Sequence, residues 1–161
     1  MGRRLAGAMQ SSAPPKGVGQ TARMSTADLH AAAFFKEAVD RGAVWLLRTE
    51  DEAGPGYARA GTPSGEVALG VWSTERRAQK IAATVPAYAR YRPFRLSLDE
   101  LLDTWVPELD ATSTNVGLNW SGPSAQGARV TTYALVRGVR ARRWELDAPQ
   151  RAAQRLAEWG E

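Results

Sequence analysis

Two turn signals, Gly54-Pro-Gly56 and Gly61-Thr-Pro-Ser-Gly65, divide the stretch from Ala43 to Trp72 so closely that no helix fits between the pieces. Parallel neighbours need a crossover of a dozen or more residues, whereas antiparallel neighbours need only a tight turn. The pieces Ala43–Arg48, Tyr57–Ala60 and Glu66–Trp72 therefore read as consecutive antiparallel strands, with Glu50–Gly56 as the loop between the first two. The first piece is apolar at successive positions, which predicts a strand covered on both faces.

Helices bracket these strands. Ser25 is placed to cap a helix over Thr26–Arg41, with Asp28 in its first turn and Gly42 just beyond its end. Ala31, Phe35, Ala38 and Val39 fall on one face of it. Ser73 reads as the cap of a second helix that turns Ala78, Ile81, Ala82 and Val85 inward and stops at Pro86. Phe94–Ser97 is a short extended piece, and Ser97-Leu-Asp-Glu100 has the spacing of a capping box. The helix it opens carries Leu98, Leu101, Leu102, Trp105 and Leu109 on one stripe, and Pro107 predicts a kink or break within it. A strand over Asn115–Ser121 follows, ended by Gly122-Pro123, then a short strand at Ala128–Thr131 and a helix over Thr132–Arg143. Asp147 reads as the cap of a final helix with Ala152, Leu156 and Trp159 on one side.

Composition narrows the class. With 161 residues, 43% hydrophobic and 24% charged, the chain is of ordinary globular make-up and of a length for one domain. Cysteine is absent, which excludes disulfides, thiolate metal sites and cysteine nucleophiles and fits a reducing cytoplasm. No apolar run approaches the ~20 residues of a membrane helix. Arg3-Arg4 is followed by no apolar stretch, so no secretory signal is expected. Arg3, Arg4, Lys16 and Arg23, with no acid among them, account for the whole net charge of +4. The rest of the chain is balanced, which weakens a nucleic-acid reading, since a folded binder carries a basic face of its own.

No nucleophile elbow, phosphate-binding loop, zinc-protease motif or dinucleotide fingerprint occurs. The only histidine, His30, reads as an ordinary helix residue, and Glu50-Asp-Glu52 as a solvated loop. Asp99, Glu100 and Asp103 oppose the positive end of a helix, which explains them without chemistry. Val71-Trp-Ser-Thr-Glu-Arg-Arg77 carries more, because a strand ends and a helix begins beside two hydroxyls and two arginines. That arrangement can hold an anion or a partner carboxylate, although Glu75 opposes a phosphate there. Six tryptophans are many for one domain; core packing explains them, and so would a groove edged by Trp72, Trp105 and Trp120. Arg137, Arg140, Arg142 and Arg143 beside Trp144 could touch nucleic acid, but Glu145 and Asp147 follow and the solvated-face reading is preferred.

The apolar landmarks form a series that resembles a bacterial domain-of-unknown-function family, number 2750. The matching residues are Phe35 and Val39, Gly42-Ala-Val-Trp-Leu-Leu47, Val71-Trp-Ser73, and Tyr91 with Pro93. Leu96-Ser-Leu-Asp-Glu-Leu-Leu102, Trp105-Val-Pro107, Leu109 and Val116-Gly-Leu-Asn-Trp120 complete the series. The resemblance covers roughly residues 28–143 and departs at Leu102, where such proteins often carry an aromatic residue, and in the additional C-terminal helix. It implies the α+β order and the domain boundary, and no activity.

The expectation is a single α+β domain over 25–145, a small and mostly antiparallel sheet packed by three or four helices. A disordered basic leader precedes it over 1–24 and a C-terminal helix follows over 146–161. The expected function is a non-enzymatic protein- or peptide-binding module, adaptor- or immunity-like, in the bacterial cytoplasm. Its groove would use Trp72, Ser73, Arg76, Trp105, Pro107, Asn119 and Trp120. One alternative is a small-molecule or anion site at Ser73, Thr74, Arg76 and Arg77 with possible hydrolytic activity; the other is weak nucleic-acid binding through the basic termini. No catalytic residue, metal, cofactor or membrane partner is expected.

Overall fold

The computed structural model describes residues 23–160, so the leader expected over 1–24 lies outside the described residues except for Arg23 and Met24. The first helix, α1 (Thr26–Arg41), begins and ends as its sequence dictates. Ser25 Oγ accepts the Asp28 N–H at 3.1 Å while Asp28 Oδ2 accepts the Ser25 N–H at 3.1 Å, a complete capping box. Gly42 closes the helix in the left-handed region at φ 65°, where a glycine meets no steric penalty.

Strands β1 (Ala43–Asp51), β2 (Gly54–Tyr57), β3 (Arg59–Gly61) and β4 (Val67–Val71) follow. The expected loop Glu50–Gly56 is shorter than its sequence implies. β1 continues to Asp51, whose carboxylate accepts the Ala53 N–H at 2.9 Å, and β2 starts at Gly54. The expected strand Tyr57–Ala60 is split at Ala58, because its two halves pair in different sheets. Tyr57 pairs with Arg48 of β1, and Arg59 with Leu69 of β4. Ala58 itself gives its N–H to Leu47 O and takes the Gly70 N–H on its own carbonyl.

Helix α2 (Glu75–Thr84) ends at Val85, and Pro86 opens a short 3-10 turn before β5 (Arg92–Ser97). Next comes α3, built of α-turns over Leu98–Glu100 and Val106–Ala111 with a π-helical turn over Leu101–Trp105 between them. The wide turn answers Pro107. A proline has no N–H to give and its ring collides with the carbonyl four residues back. Winding the preceding turn to i−5, with the Val106 N–H on Leu101 O, absorbs the misfit without breaking the helix. Ser97 accepts the Glu100 N–H at 3.0 Å, which is the Ser97 half of the expected box. Strands β6 (Asn115–Ser121) and β7 (Gln126–Val130) precede α4 (Thr132–Leu146), capped by Thr131, and α5 (Ala148–Trp159). The expected cap of α5 by the Asp147 side chain is not made; Asp147 is itself helical, and Pro149 supplies the preset backbone angle instead.

The strands form a three-stranded sheet, β2-β1-β5, and a four-stranded sheet, β3-β4-β6-β7, antiparallel throughout except that β4 and β6 run parallel. Trp45 and Trp72 exchange main-chain hydrogen bonds at 2.7 and 2.8 Å and join the two. Alternation along the strands then sends side chains into two cores. Val44 and Leu46 of β1, Leu69 and Val71 of β4, and Val116 and Leu118 of β6 meet Phe34, Ala38, Leu101, Leu135 and Val139 from the helices. Leu47, Ala68 and Trp72 turn the other way and meet Ala78 and Ile81 of α2. This two-sided covering is why β1 reads as apolar on both faces.

Candidate functional site

The carboxyl ends of the parallel pair β4 and β6 lie side by side, and there the chain departs from regular structure. Between Leu118 and Ser121 β6 gains one residue over β7, a bulge in which Asn119 takes φ 52°. Asparagine tolerates this left-handed conformation better than most residues. The extra residue also changes the parity of the strand. On strict alternation Trp120 would share the face of Val116 and Leu118; instead it lies across Gly117 and joins the core of Trp72 and Ile81. Trp72 Nε1 donates to Trp120 O at 2.9 Å, so the buried indole N–H is satisfied.

A polar cluster fills the gap left by the bulge. Asn119, 1% exposed, accepts the Ser73 N–H on Oδ1 at 2.9 Å and donates from Nδ2 to Ser73 Oγ at 2.9 Å. Ser73 is fully buried and donates a hydrogen bond from its hydroxyl to Glu37 Oε2 at 2.5 Å. With one proton to give, that hydroxyl must be an acceptor toward the asparagine, which fixes the orientation of the amide. Arg77 closes the cluster by a bidentate pair, Nε to Glu37 Oε2 at 3.0 Å and Nη2 to Oε1 at 2.8 Å. The Arg77 guanidinium holds the Glu37 carboxyl below its usual range, with Ser73 adding to the effect against partial burial. Arg77 is raised in turn, chiefly by its bond to Glu37. Glu37 comes from α1, Ser73 from the exit of β4, Arg77 from the first turn of α2 and Asn119 from β6, so four elements are tied at one point.

Ser73 is therefore not the cap of α2. Thr74 takes that place, accepting the Arg77 N–H at 3.2 Å, and frees Ser73 for the interior. Two depressions flank Arg77. One of about 200 Å³ is lined by Arg77, Lys80, Ile81, Thr84 and the β6 end from Asn119 to Gly122. The other, about 400 Å³, is lined by Glu37, Thr74, Arg76, Arg77 and Lys80. Arg76 and Lys80 are exposed at their rims.

The expected residues thus divide. Trp72, Ser73, Asn119 and Trp120 come together, with Thr74, Arg76 and Arg77 alongside. Trp105 and Pro107 do not join them. Trp105 packs edge-on against Tyr57, with ring centroids 4.8 Å apart, beside the other core, and Pro107 is exposed on α3. A groove edged by all three tryptophans is not formed, because α3 lies against the opposite core from α2. Glu37 and Lys80 escaped the sequence reading. Glu37 is 40 residues from Arg77 and carries no local signal.

The basic helix α4 spends much of its charge within the molecule. Arg142 pairs with Asp40 and Glu145, each at 3.2 Å, and Arg143 pairs with Asp99 at 2.8 Å. Among the described residues no group of three acidic or histidine side chains stands close enough to hold a metal, and no helix is long and apolar enough to cross a membrane.

Fold and site together define a small α+β domain whose parallel strand pair, β4 and β6, ends in a locked polar cluster. A family model described as "Protein of unknown function (DUF2750)" matches residues 31–137, more than half of the chain, and the chain belongs to that family. No curated protein and no solved structure matches it. The matched span contains Glu37, Ser73, Arg77 and Asn119 and leaves α5 outside.

Proposed function

We propose that the chain is a non-enzymatic binding module of the bacterial cytoplasm that takes an acidic segment of a protein or peptide partner between α2 and the end of β6. The supporting observation is the division of labour around Arg77. Groups that could do chemistry are consumed by structure: the Ser73 hydroxyl is buried and spent on Glu37, and Glu37 is pinned by Arg77. A carboxylate so stabilised in its ionised form is a weak base, which speaks against the hydrolytic alternative. The exposed groups are Arg76 and Lys80, beside depressions that also offer Thr74, Thr84 and Ser121. Positive groups on a rigid floor suit an acidic side chain of a partner, and the absence of cysteine suits a reducing compartment.

The test is affinity capture from lysate of the source cell with the full chain, alongside Arg76→Glu and Lys80→Glu. A stoichiometric acidic partner held by the wild type and lost from both variants supports the reading. Capture that survives both charge reversals, or capture of nothing, rejects it.

A further inference from the structure

A second cleft, where the pairing of β1 with β5 ends, is lined by three arginines. Where β5 pairs with β1, Arg92 stands directly opposite Arg48. Like charges at directly opposed positions destabilise a strand pair. Arg90 adds a third guanidinium to the same cleft, which measures about 380 Å³ and is completed by Thr49, Glu50, Pro93 and Phe94. Among the described residues the only carboxylate lining it is that of Glu50, paired with Arg48 at 2.8 Å. Among the described residues no carboxylate pairs with Arg90 or Arg92, and Arg92 Nη1 turns back on the carbonyls of Ala89 and Tyr91 at 3.3 and 3.1 Å. Arg48 lies over the Phe94 ring at 4.9 Å, which orients its guanidinium, and its Nε is buried without a hydrogen-bond partner among the described residues. The fold therefore holds a like-charge pair, an unspent buried donor and an apolar wall in one place, and the neighbouring described residues answer none of them fully.

We infer that this cleft binds a phosphate monoester of a small organic molecule. Planar guanidiniums match the oxygens of phosphate in pairs, and a dianion balances three arginines against one glutamate. Pro93 and Phe94 would contact the organic part. Glu50 is a competitor for Arg48: its side chain is 74% exposed and free to swing into solvent, and so exposed an ion pair is weak. The site is separate from the α2 cleft and does not depend on the reading proposed there.

The experiment is calorimetric titration of the full chain with phenyl phosphate, with inorganic phosphate and a single-stranded oligonucleotide as comparators. Saturable binding of phenyl phosphate is expected. Arg92→Ala should weaken it about tenfold or more, the loss of one charged hydrogen bond. Glu50→Gln should tighten it severalfold, a gain that no folding defect can imitate, and Lys36→Ala, at an exposed position of α1, should leave it unchanged. No saturable binding, or equal affinity in Arg92→Ala, overturns the proposal. Equal affinity for inorganic phosphate overturns the organic part, and binding of the oligonucleotide alone overturns the small ligand in favour of nucleic acid.

Discussion

Asn119 clasps Ser73 at two points, taking its main-chain N–H and supplying its hydroxyl with a donor, both at 2.9 Å. The clasp ties the exit of β4 to the bulge of β6, and the bulge sets the direction of Trp120. Removing the asparagine therefore costs stability twice. Asn119→Ala leaves the buried Ser73 N–H unpaired, about 1–3 kcal/mol, and places alanine at positive φ, about 1–2 kcal/mol. Asn119→Gly suffers the first loss and not the second. Urea unfolding should rank wild type above Asn119→Gly and Asn119→Gly above Asn119→Ala; an unchanged midpoint for the alanine variant would show the clasp to be incidental.

Acid should loosen the same cluster. Glu37 has its folded pKa below the ordinary 4.5 through Arg77 and Ser73. The stabilisation it supplies is complete above that ordinary value and is lost as pH falls through the depressed one. Asp28 is lowered as well by its bonds to Ser25, so acid sensitivity has two sources. Glu37→Gln separates them. The variant should be less stable at neutral pH by about 1–2 kcal/mol, the order of a charged hydrogen bond lost from a half-exposed pair. The gap between variant and wild type should narrow as the pH drops below the carboxylate range. Thermal melts of both proteins across that range measure it, and a gap that stays constant would remove Glu37 from the acid response.

What the sequence made legible was local. Ser25 and Asp28 mark the start of α1 and Gly42 its end, each by chemistry local to that terminus, so its bounds could be read off. The strand pieces around Gly54 and Gly61 were visible for the same reason. Ser73 and Thr74 are both competent caps, and the distant partners Asn119, 46 residues on, and Glu37, 36 residues back, decide which turns inward. The parallel pairing of β4 with β6 was hidden because the connection passes through β5, which belongs to the other sheet. Trp105 was grouped with Trp72 and Trp120 by residue type, whereas α3 lies against the other core and the bulge turns Trp120 toward Trp72.

Three strand glycines and one helix glycine are spaces reserved for aromatic rings, two of which make the sharpest test. A Cβ at Gly117 would come within 2.0 Å of Trp120, and one at Gly138 within 2.2 Å of Phe35. Alanine is the better residue in both a strand and a helix by intrinsic preference, and at an exposed helix site it gains about 1 kcal/mol over glycine. Here overpacking outweighs that gain. Gly117→Ala should destabilise by about 1–3 kcal/mol or more, and Gly138→Ala should also lose stability in spite of its helical setting. A more stable Gly138→Ala protein would mean that the Phe35 ring moves aside freely.

The last helix should be dispensable for folding. No residue of α5 is buried, and Leu156 and Trp159 are 75% and 89% exposed. Among the described residues its side-chain anchorage is a single device: Arg151 lies over the Trp144 ring at 3.3 Å and donates to Trp144 O at 2.6 Å. An exposed cation–aromatic contact of this kind is worth about 0.5–1 kcal/mol. Ending the chain after Asp147 should therefore shift the unfolding free energy by no more than about 1 kcal/mol, while Arg151→Ala alone should reproduce most of that small change. Hydrogen exchange offers an independent check, with amides of α5 exchanging far faster than those of α1. A large loss on truncation, or strong protection in α5, would mean that the exposed Leu156 and Trp159 face is covered in solution.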